Sequence, residues 1–519
     1  MTKRTKQTLS LLLAVLMLVS ILAACGGKDA GSSQGSSTAS NVESKTESND
    51  ESEPSETGND DPGEVVTLHV WGMTDSATNP DVDEVAAAIS EITREKIGVE
   101  VKLTRTGDGE KLNLALTSGE KLDLVNMHTY SGGLPALVST GYCIPIDDLL
   151  DQYGAKIKEV VPEDYFECGM IDGKLYMIPD LKDTARAAGF AMRQDILDDL
   201  KIDAASIKTW DDVHDVFVRV KNENPDFYPL APTWANGGMQ SVLPIDDLGG
   251  GQGVLESCFD DSTTVVNYYA TDSYREFCER MYQWKQEGLI MPDATTTTEN
   301  NLMSSVAFAT YANIKPGKAL ECKRAYGVDC ALIQLLDPYT NTGMVGGSSF
   351  IIPVACENPE KAMQLWELMF TDPEVSNLFV NGIEGKHWEY TDDSKKFITT
   401  PEGVDPTASG YESLDWAWPN MRITPLWEGS EADQWEQYET FTKEAVSSPA
   451  MGFRFDTTSV MNEITACSNV VSKYDVGLRW GELNPNEALP EFLAELESAG
   501  VNTIIEEKQK QLDAWLASK

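Results

Sequence analysis

Histidine and the short motifs of common enzyme classes are almost missing from this chain. It has four histidines among 519 residues, and none has the spacing of a metal site. H-E-x-x-H does not occur, and G-x-S-x-G occurs only at residues 31–35, within a Gly/Ser-rich segment that has no strand or helix pattern around the serine. Residues 118–121 fit S-x-x-K, but the accompanying S-D-N and K-T-G motifs are missing. We therefore expect no catalytic residue, no metal and no cofactor. A lipoprotein glycosidase stays open as an alternative, because the fold alone decides which of the 84 acidic residues pair.

Positive charge is also scarce. The chain has 40 lysine and arginine residues against 84 aspartate and glutamate residues, which gives a formal net charge of −44. Such an acidic excess repels polyanions, so it excludes nucleic acid and argues against anionic lipid surfaces as partners. It does not identify a ligand, because most acidic side chains in proteins face solvent.

Cysteines are few and show no C-x-x-C spacing. One of the nine, Cys25, stands near the start of the chain. The other eight are scattered: Cys143, Cys168, Cys258, Cys278, Cys322, Cys330, Cys356 and Cys467. An even number permits disulfides in an exported protein, but a chain of this length does not need them. We expect buried thiols, and if one disulfide does form, Cys322 and Cys330 are the best-placed pair.

Long hydrophobic runs are missing apart from residues 11–22. This run is shorter than the roughly 20 residues of a membrane span, which argues against a transmembrane anchor. Basic residues precede it, and it ends in Leu22-Ala23-Ala24-Cys25-Gly26. This pattern is typical of a lipoprotein signal peptide over residues 1–24. We predict lipidation of Cys25, palmitate included, and anchoring at the extracytoplasmic face of the cell membrane. A Gram-positive envelope fits, although the sequence does not establish it.

Apolar side chains are again rare in residues 25–64, which consist almost wholly of Gly, Ser, Asn, Thr, Asp and Glu. Such a segment cannot bury enough surface to offset the entropy of ordering. We therefore predict a disordered, acidic linker between the lipid and the folded remainder. Residues 65–519 are too many for one ordinary domain and predict two or three.

The remainder alternates strands with helices and shows no internal repeat. Its first part has predicted strands at residues 66–71, 99–103 and 122–127, with helices beginning at Asn79-Pro80 and spanning residues 112–116. We expect Asn79 to cap the first of these helices and Gly98 to end it. Alternation of this kind is typical of a parallel α/β sheet.

The alternation returns further along the chain. Predicted strands span residues 189–192 and 350–352, and helices begin at the capping box of residues 209–212 and at Asn358-Pro359 and Asp372-Pro373. We expect Gly382 to end the last of these helices. Beyond about residue 450 the pattern is mainly helical.

Several of these segments resemble the extracellular solute-binding lipoproteins of ATP-driven (ABC) importers, of the family 1 kind. The similar segments are residues 173–179 (GKLYMIP), 193–197 (RQDIL), 208–212 (KTWDD), 346–353 (GGSSFIIP) and 358–362 (NPEKA). Residues 381–388 (NGIEGKHW), 451–456 (MGFRFD) and the tail at 512–516 resemble the LplA-like branch. The resemblance covers nearly all of the chain after the linker, in the family's order and behind a lipoprotein signal.

The resemblance implies an α/β, two-lobed, periplasmic-binding-protein-like (type II) fold with a hinge and a helical C-terminal region. We place lobe 1 approximately at residues 65–180 plus 345–395, and lobe 2 at residues 181–344 plus 396–519. Members of the family bind a sugar or oligosaccharide in the cleft between the lobes and deliver it to membrane permease subunits. The resemblance thus implies a monomeric substrate-binding lipoprotein with a carbohydrate ligand and no enzymatic activity.

Ligands of open α/β sheets lie beyond the carboxyl ends of strands, and sugar sites combine aromatic faces with a few polar groups. These rules select eight candidate ligand-binding residues: Trp71, His128, Tyr130, Arg193, Trp234, Tyr311, Trp416 and Trp418. The competing interpretation is core or surface packing for the aromatic residues. For His128 it is a structural role, and for Arg193 it is an ion pair with Asp195.

Other functions stay open at this stage. The same fold serves sensor subunits and surface adhesins, and the ligand of an importer can equally be a peptide or an acidic sugar. An acidic sugar requires two or more cations in the cleft, and Arg193 is the one that the sequence places there.

Overall fold

A computed structural model describes residues 65–75, 78–232, 243–299, 301–405 and 408–519 of the chain. The leader, Cys25, the acidic linker and Trp234 lie outside these residues. Two separate five-stranded sheets organise the described part, and each forms the centre of one lobe. None of the described helices is long and apolar enough to cross a membrane.

The sheet of lobe 1 has three parallel strands on one side. In spatial order its strands are Val99–Arg105, Val66–Gly72, Leu124–Asn126, Ser349–Ile351 and Ile178–Pro179. The first three are parallel, as the alternation of strands and helices predicts. The strand Ser349–Ile351 is antiparallel to both of its neighbours, because the chain re-enters this sheet from the other lobe.

Helices cover both faces of the lobe 1 sheet, as is usual for parallel strands. They are Val82–Ile97, Gly109–Ser118, Gly133–Ser139, Asp147–Tyr153, Ile157–Val160, Pro359–Thr371 and Pro373–Asn381. Leu68 and Val70 belong to one hydrophobic core, and Trp71 and Val125 belong to a second. Side chains on either face of these strands are therefore buried.

The start of the first helix of lobe 1 differs from the prediction. Asp81, not Asn79, precedes its first turn. The Asn79 side chain instead donates to the Thr74 hydroxyl at 2.9 Å and accepts the backbone N–H of Glu412 at 2.8 Å. Asn79 thus joins two loops across the lobe, a role that local sequence does not reveal.

Other predicted boundary signals are confirmed. Gly98 ends the first helix in the left-handed conformation, with a φ of 67°. Thr209 and Asp212 form a reciprocal capping box at the start of a lobe 2 helix. Asp372 caps a helix of lobe 1 by accepting two backbone N–H groups, and Gly382 ends that helix.

The sheet of lobe 2 is mixed, so the parallel arrangement expected there is wrong: its three long strands are antiparallel, and its two short edge strands are parallel to their neighbours. Its strands in spatial order are Val446–Ser447, Cys330–Thr340, Arg186–Arg193, Ala307–Ile314 and Tyr228–Leu230. The central strand Arg186–Arg193 is antiparallel to both neighbours. Arg186 is paired with Tyr339 at one end of this strand, and Arg193 with Cys330 at the other.

The helices of lobe 2 come from two parts of the chain. They are Gln194–Asp199, Trp210–Glu223, Asp272–Gln286 and Lys318–Tyr326, followed by Met461–Arg479, Pro485–Ala499 and Val501–Ser518. The last three confirm the prediction of a helical C-terminal region. Their buried residues, such as Phe492, Ile504 and Leu512, lie in the same hydrophobic core as the central strand of lobe 2.

The chain passes between the lobes three times. The first crossing is residues 180–185, the second is residues 341–348 with the short helix Thr342–Gly346, and the third is residues 428–445 with the helix Gln434–Glu444. These connections form the hinge that the resemblance implies.

The expected lobe boundary after residue 395 needs a correction. Phe397–Thr399 pairs with Glu389–Tyr390 and with Leu426–Trp427 in a small sheet. Tyr411 and Trp418 lie in a hydrophobic core of lobe 1. Residues 396–427 therefore belong to lobe 1, and the last crossing follows them. A two-stranded sheet, Met170–Ile171 with Lys174–Leu175, completes the strands of lobe 1.

The eight cysteines after Cys25 are free thiols in this structure, seven of them buried and Cys356 partly buried. This agrees with the expectation of buried thiols. Cys322 and Cys330, the pair singled out from the sequence, are both buried and unbridged.

Candidate ligand-binding cleft

A cavity of about 340 Å³, here called the hinge cavity, lies where the lobes meet. Lobe 1 contributes His128, from the loop after the strand Leu124–Asn126. Lobe 2 contributes Arg186 and Asn313, which stand at the same end of two adjacent strands. Residues of the first and second crossings, among them Lys182 and Asn341, complete the lining.

A second cavity of about 450 Å³, here called the loop cavity, adjoins the first. Its walls are residues 131–135 of lobe 1, residues 246–251 of lobe 2, and residues between 453 and 468 of the C-terminal region. Asp247 and Gly343 line both cavities, so the two lie side by side, and together they are here called the cleft.

A larger cavity, of about 690 Å³, lies elsewhere, against the helix Pro373–Asn381, Trp388 and Trp435. Its lining comes from lobe 1 and from the third crossing, and no residue of the lobe 2 sheet takes part. It is not a cleft between the lobes, so size alone does not make it the candidate site.

His128 stands at the rim of the hinge cavity and is held from two sides. Its backbone N–H donates to the Asn126 side chain at 2.9 Å. Its Nδ1 lies 2.8 Å from the carbonyl oxygen of Gly347, so Nδ1 carries a proton and donates it. The Trp416 ring lies edge-on, with ring centroids 5.0 Å apart. The structure thus brings two of the predicted residues together beside the cleft.

Arg186 is a cleft residue that sequence reasoning missed. Its Nε donates to the Tyr339 hydroxyl at 3.4 Å, and its guanidinium lies 5.7 Å from that ring. Arg186 lines the hinge cavity, and within the described residues it forms no ion pair. The rule that ligands lie beyond the carboxyl ends of strands holds for parallel sheets, and Arg186 begins an antiparallel strand.

Arg454 is a second guanidinium in the cleft. Its Nε donates across the lobes to the carbonyl oxygen of Cys168 at 2.5 Å, and its Nη2 lies 3.9 Å from the sulfur of Met177. Burial lowers the pKa of Arg454 to about 10. This residue lines the loop cavity, and it stands in the MGFRFD segment that carries part of the family resemblance.

Asp246 anchors the start of the glycine-rich loop, residues 246–253. Its side chain accepts the Ser448 hydroxyl at 2.6 Å and the backbone N–H of Leu248 at 3.0 Å. It is 1% exposed, and burial raises the pKa of Asp246 to about 6. The next residue, Asp247, is exposed and lines both cavities.

A partly buried ion cluster lies beside the hinge cavity. Lys315, which follows a central strand of lobe 2, lies 2.8 Å from Asp183 of the first crossing and 2.9 Å from Glu321. Asp415 of lobe 1 is close to Lys315, and burial raises the pKa of Asp415. The cluster therefore connects both lobes and the first crossing.

Trp71 and Trp418 were expected in the site, but the structure places both in the core. Trp71 is 6% exposed and packs in the second hydrophobic core of lobe 1. Trp418 is fully buried between Phe350 and Phe379, at ring centroid distances of 5.8 and 4.9 Å. Their assignment is corrected to core packing, because both faces of the lobe 1 sheet are covered.

Tyr311 and Tyr130 lie closer to the cleft, yet their rings are mostly buried. Tyr311 lies within the strand Ala307–Ile314, and its ring is 6.3 Å from Phe190 in the core of lobe 2. Tyr130 packs against the lobe 1 core, and burial raises the pKa of Tyr130. Residues 131–133, which directly follow Tyr130, line the loop cavity.

Arg193 lies at the end of its strand opposite to Arg186, which is about 23 Å away at the usual strand rise. It forms a two-pronged ion pair with Asp195, at 3.0 and 2.6 Å, as the competing interpretation expected. It therefore does not belong to the candidate cleft. Trp234 lies outside the described residues.

Among the residues that the structure describes, no three His, Cys, Asp or Glu side chains form a group that could hold a metal ion. The cleft consists instead of guanidinium, amide, carboxylate and backbone groups, with His128, Phe453 and Phe455 as its aromatic edges. Such an arrangement suits reversible binding of a polar solute.

A family model described as bacterial extracellular solute-binding protein matches residues 87–382, which is more than half of the chain. The chain belongs to this family. It is therefore an extracytoplasmic solute-binding protein, as the resemblance implies. A second model, described as a domain of unknown function, matches residues 449–517.

Similar proteins support the same assignment. A protein of Streptococcus pneumoniae serotype 4, described as a carbohydrate ABC transporter substrate-binding protein, is 25% identical over 479 residues, or 89% of this chain and 94% of that protein. The crystal structure of an N-glycan transport solute-binding protein of S. pneumoniae with Man1GlcNAc is 23% identical, with a TM-score of 0.73 over 87% of this chain and all of that one. The S. pneumoniae substrate-binding protein FusA with kestose gives a TM-score of 0.60 at 17% identity, over 88% of this chain and all of FusA. The predicted type II, two-lobed fold is confirmed.

Proposed function

We propose that this protein is the substrate-binding component of an ATP-driven importer, and that it captures a sugar or oligosaccharide between its lobes. The observation that carries the proposal is the pair of adjoining cavities that share Asp247 and Gly343. Two adjoining cavities of this kind suit a ligand of more than one sugar unit. The descriptions of the pneumococcal relatives, which name carbohydrate, N-glycan and kestose, support this ligand class.

The cleft has the groups that a neutral sugar needs. Arg186, Asn313, Asn341 and Arg454 can donate hydrogen bonds to hydroxyl oxygens, and Asp247 can accept them from hydroxyl protons. The aromatic edges of the cleft offer surfaces to sugar C–H groups. A ligand that touches both lobes stabilises the closed form by its differential affinity for the two states. The action is binding, and no bond is broken.

The partners in this proposal are a carbohydrate, the permease subunits in the membrane and the lipid attached to Cys25. The protein acts as a monomer on the outer face of the membrane. Metabolic labelling with a palmitate analogue tests the anchor. We expect label on the wild type and none on Cys25→Ala, whereas label on both variants would contradict lipidation at this residue.

A thermal-shift screen tests the ligand class. The chain from residue 26 onward is heated with mono- and oligosaccharides, uronic acids and short peptides, because a ligand of the folded state raises the melting temperature by mass action. We expect a shift with an oligosaccharide, and chromatography should recover that oligosaccharide intact after incubation. A shift from a peptide alone would overturn the carbohydrate assignment, and cleavage would favour the glycosidase.

An acidic sugar is the second candidate, because the structure places two guanidinium groups in the cleft, whereas the sequence offered only Arg193. Arg186 and Arg454 form no ion pairs within the described residues and line the adjoining cavities. Guanidinium groups bind carboxylates through paired hydrogen bonds. A larger shift from uronic acid oligomers than from neutral oligosaccharides of equal length would favour this candidate.

A further inference from the structure

The glycine-rich loop, residues 246–253, has a backbone that needs support from outside. Leu248, Gly249, Gly250, Gly251 and Gly253 all have positive φ, between 55° and 85°. Glycines at these positions avoid steric strain, but they lose more conformational freedom than other residues when they become ordered. The loop also has few side chains that could fix its position. Yet it forms one wall of the loop cavity.

The ammonium of Lys508 supplies that support. Its Nζ donates to the carbonyl oxygens of Asp247, Gly249 and Gly253, at 3.1, 2.6 and 2.8 Å. An ammonium has three N–H donors, and each one meets a loop carbonyl. Lys508 is fully buried, although lysine is rarely buried without partners. Its Nζ also lies 4.9 Å from the Phe455 ring centroid.

The loop is also seated closely on the C-terminal region. A Cβ atom at Gly250 would lie 2.8 Å from the Thr457 side chain and 2.9 Å from the Phe455 ring. At Gly253 it would lie 3.3 Å from Ile505. Glycine permits this close approach, and these contacts hold the loop against the C-terminal region together with Lys508.

We propose that Lys508 is a positioning residue for the ligand cleft, and that residues 449–517, which match the domain of unknown function, serve as a structural part of that cleft. This segment does two things. Its first residues, including Arg454 and Phe455, line the loop cavity directly. Its last helix brings Lys508 to the back of the glycine-rich loop and fixes the wall that the ligand meets. The ligand role of the loop rests on the proposed function, whereas its attachment to Lys508 does not.

A purely structural lysine, which stabilises the C-terminal helix and nothing more, is the competing explanation. Leu512 provides a matched control, because it is one turn further along the same helix and is also fully buried. Leu512→Ala removes core packing without touching the loop. Lys508→Met keeps the length of the side chain and removes all three donors.

The test is amide hydrogen exchange of the chain from residue 26 onward, without ligand. In Lys508→Met we expect peptides from residues 246–253 to exchange about tenfold faster, because the loop opens locally. In Leu512→Ala the melting temperature falls, but the exchange of these peptides at room temperature stays at the wild-type rate. Lys508→Gln, which retains two donors, replaces the Met variant if that variant does not fold. Unchanged loop exchange in the lysine variant would overturn the proposal, whatever the ligand is.

A second measurement separates this proposal from the proposed function. Calorimetry with Man1GlcNAc as the probe should show at least about tenfold weaker binding for Lys508→Met and wild-type binding for Leu512→Ala. Equal affinity of both variants would overturn the ligand role of the loop. No binding by the wild type would count against the N-glycan class of ligand, and the exchange experiment would still decide whether Lys508 positions the loop.

Discussion

At the scale of single residues, two partly buried arginines indicate the position of the cleft better than large aromatic residues do. Trp71 and Trp418 were predicted to contact sugar because of their positions along the chain, but both are buried in the core of lobe 1. Arg186 and Arg454 lie in the cleft and engage no carboxylate within the described residues. Leaving a guanidinium without an ionic partner costs stability, so a position facing a polar ligand is a physical reason to retain it.

Arg186 and Arg193 form a natural pair for mutagenesis, because they stand at opposite ends of one strand. We expect Arg186→Met to weaken oligosaccharide binding by about tenfold to a hundredfold, since a hydrogen bond to a charged group contributes about 1.5–3 kcal/mol. Arg193→Met should bind as the wild type does. Titration calorimetry measures both, and equal losses in the two variants would remove Arg186 from the site.

Asp246 predicts a specific pH dependence. Its folded-state pKa of about 6 exceeds the ordinary value of 3.8, so the folded protein holds a proton that the unfolded chain releases. This favours the folded state at low pH, and the advantage is lost as the pH rises through 6. Against Asp246→Asn, the wild type should lose about 3 kcal/mol of unfolding free energy between about pH 4 and about pH 8. Urea unfolding measures this, and a difference that does not change with pH would contradict the assignment.

At the scale of elements, sequence patterns predicted whether a segment is a helix or a strand, but they did not predict which other segments it contacts. Gly98, the capping box at Thr209 and the cap at Asp372 act within a few residues, so they could be predicted. The prediction that Asn79 caps a helix was wrong, because its side chain bonds to loop residues instead, one of them distant in the sequence. The strand at residues 189–192 was found, but its antiparallel pairing was not, and that pairing decides which end meets the cleft.

The ion cluster beside the hinge cavity couples elements from both lobes. Lys315→Met would remove the cation that the half-buried Asp183 and the partly exposed Glu321 share. We expect a loss of about 1–3 kcal/mol in unfolding free energy, which is less than for a fully buried pair because solvent reaches Glu321. Lys323→Met, which breaks an exposed pair with Asp329, should cost no more than about 1 kcal/mol. Similar losses from both variants in chemical denaturation would show that the cluster is not a major contributor.

At the scale of the whole molecule, the two-lobed architecture could be expected from the resemblance to solute-binding proteins, whereas most of the site, apart from His128, could not. A cleft made of residues 128, 186, 247, 341 and 454 depends on contacts between segments hundreds of positions apart. Such contacts are set by packing, which local periodicity does not encode. The incorrect assignment of residues 396–427 to lobe 2 has the same cause, because their packing against lobe 1 involves distant segments.

Uptake by cells tests the role of the whole molecule. A strain without this protein should lose import of the oligosaccharide that binds the purified chain, and the wild type should restore it. Arg193→Met should restore import as well, whereas Arg186→Met should restore it poorly at low sugar concentration. Unchanged import in the deletion strain, with altered signalling, would favour a sensor instead of a transport component.

The central claim is that the ligand lies between the lobes, and a crystal structure of the protein with the best oligosaccharide from the screen tests it most directly. The account predicts sugar density that runs from the hinge cavity into the loop cavity, with hydrogen bonds from Arg186 and Arg454. Density in the larger cavity beside Trp388 and Trp435, with the cleft between the lobes empty, would contradict it.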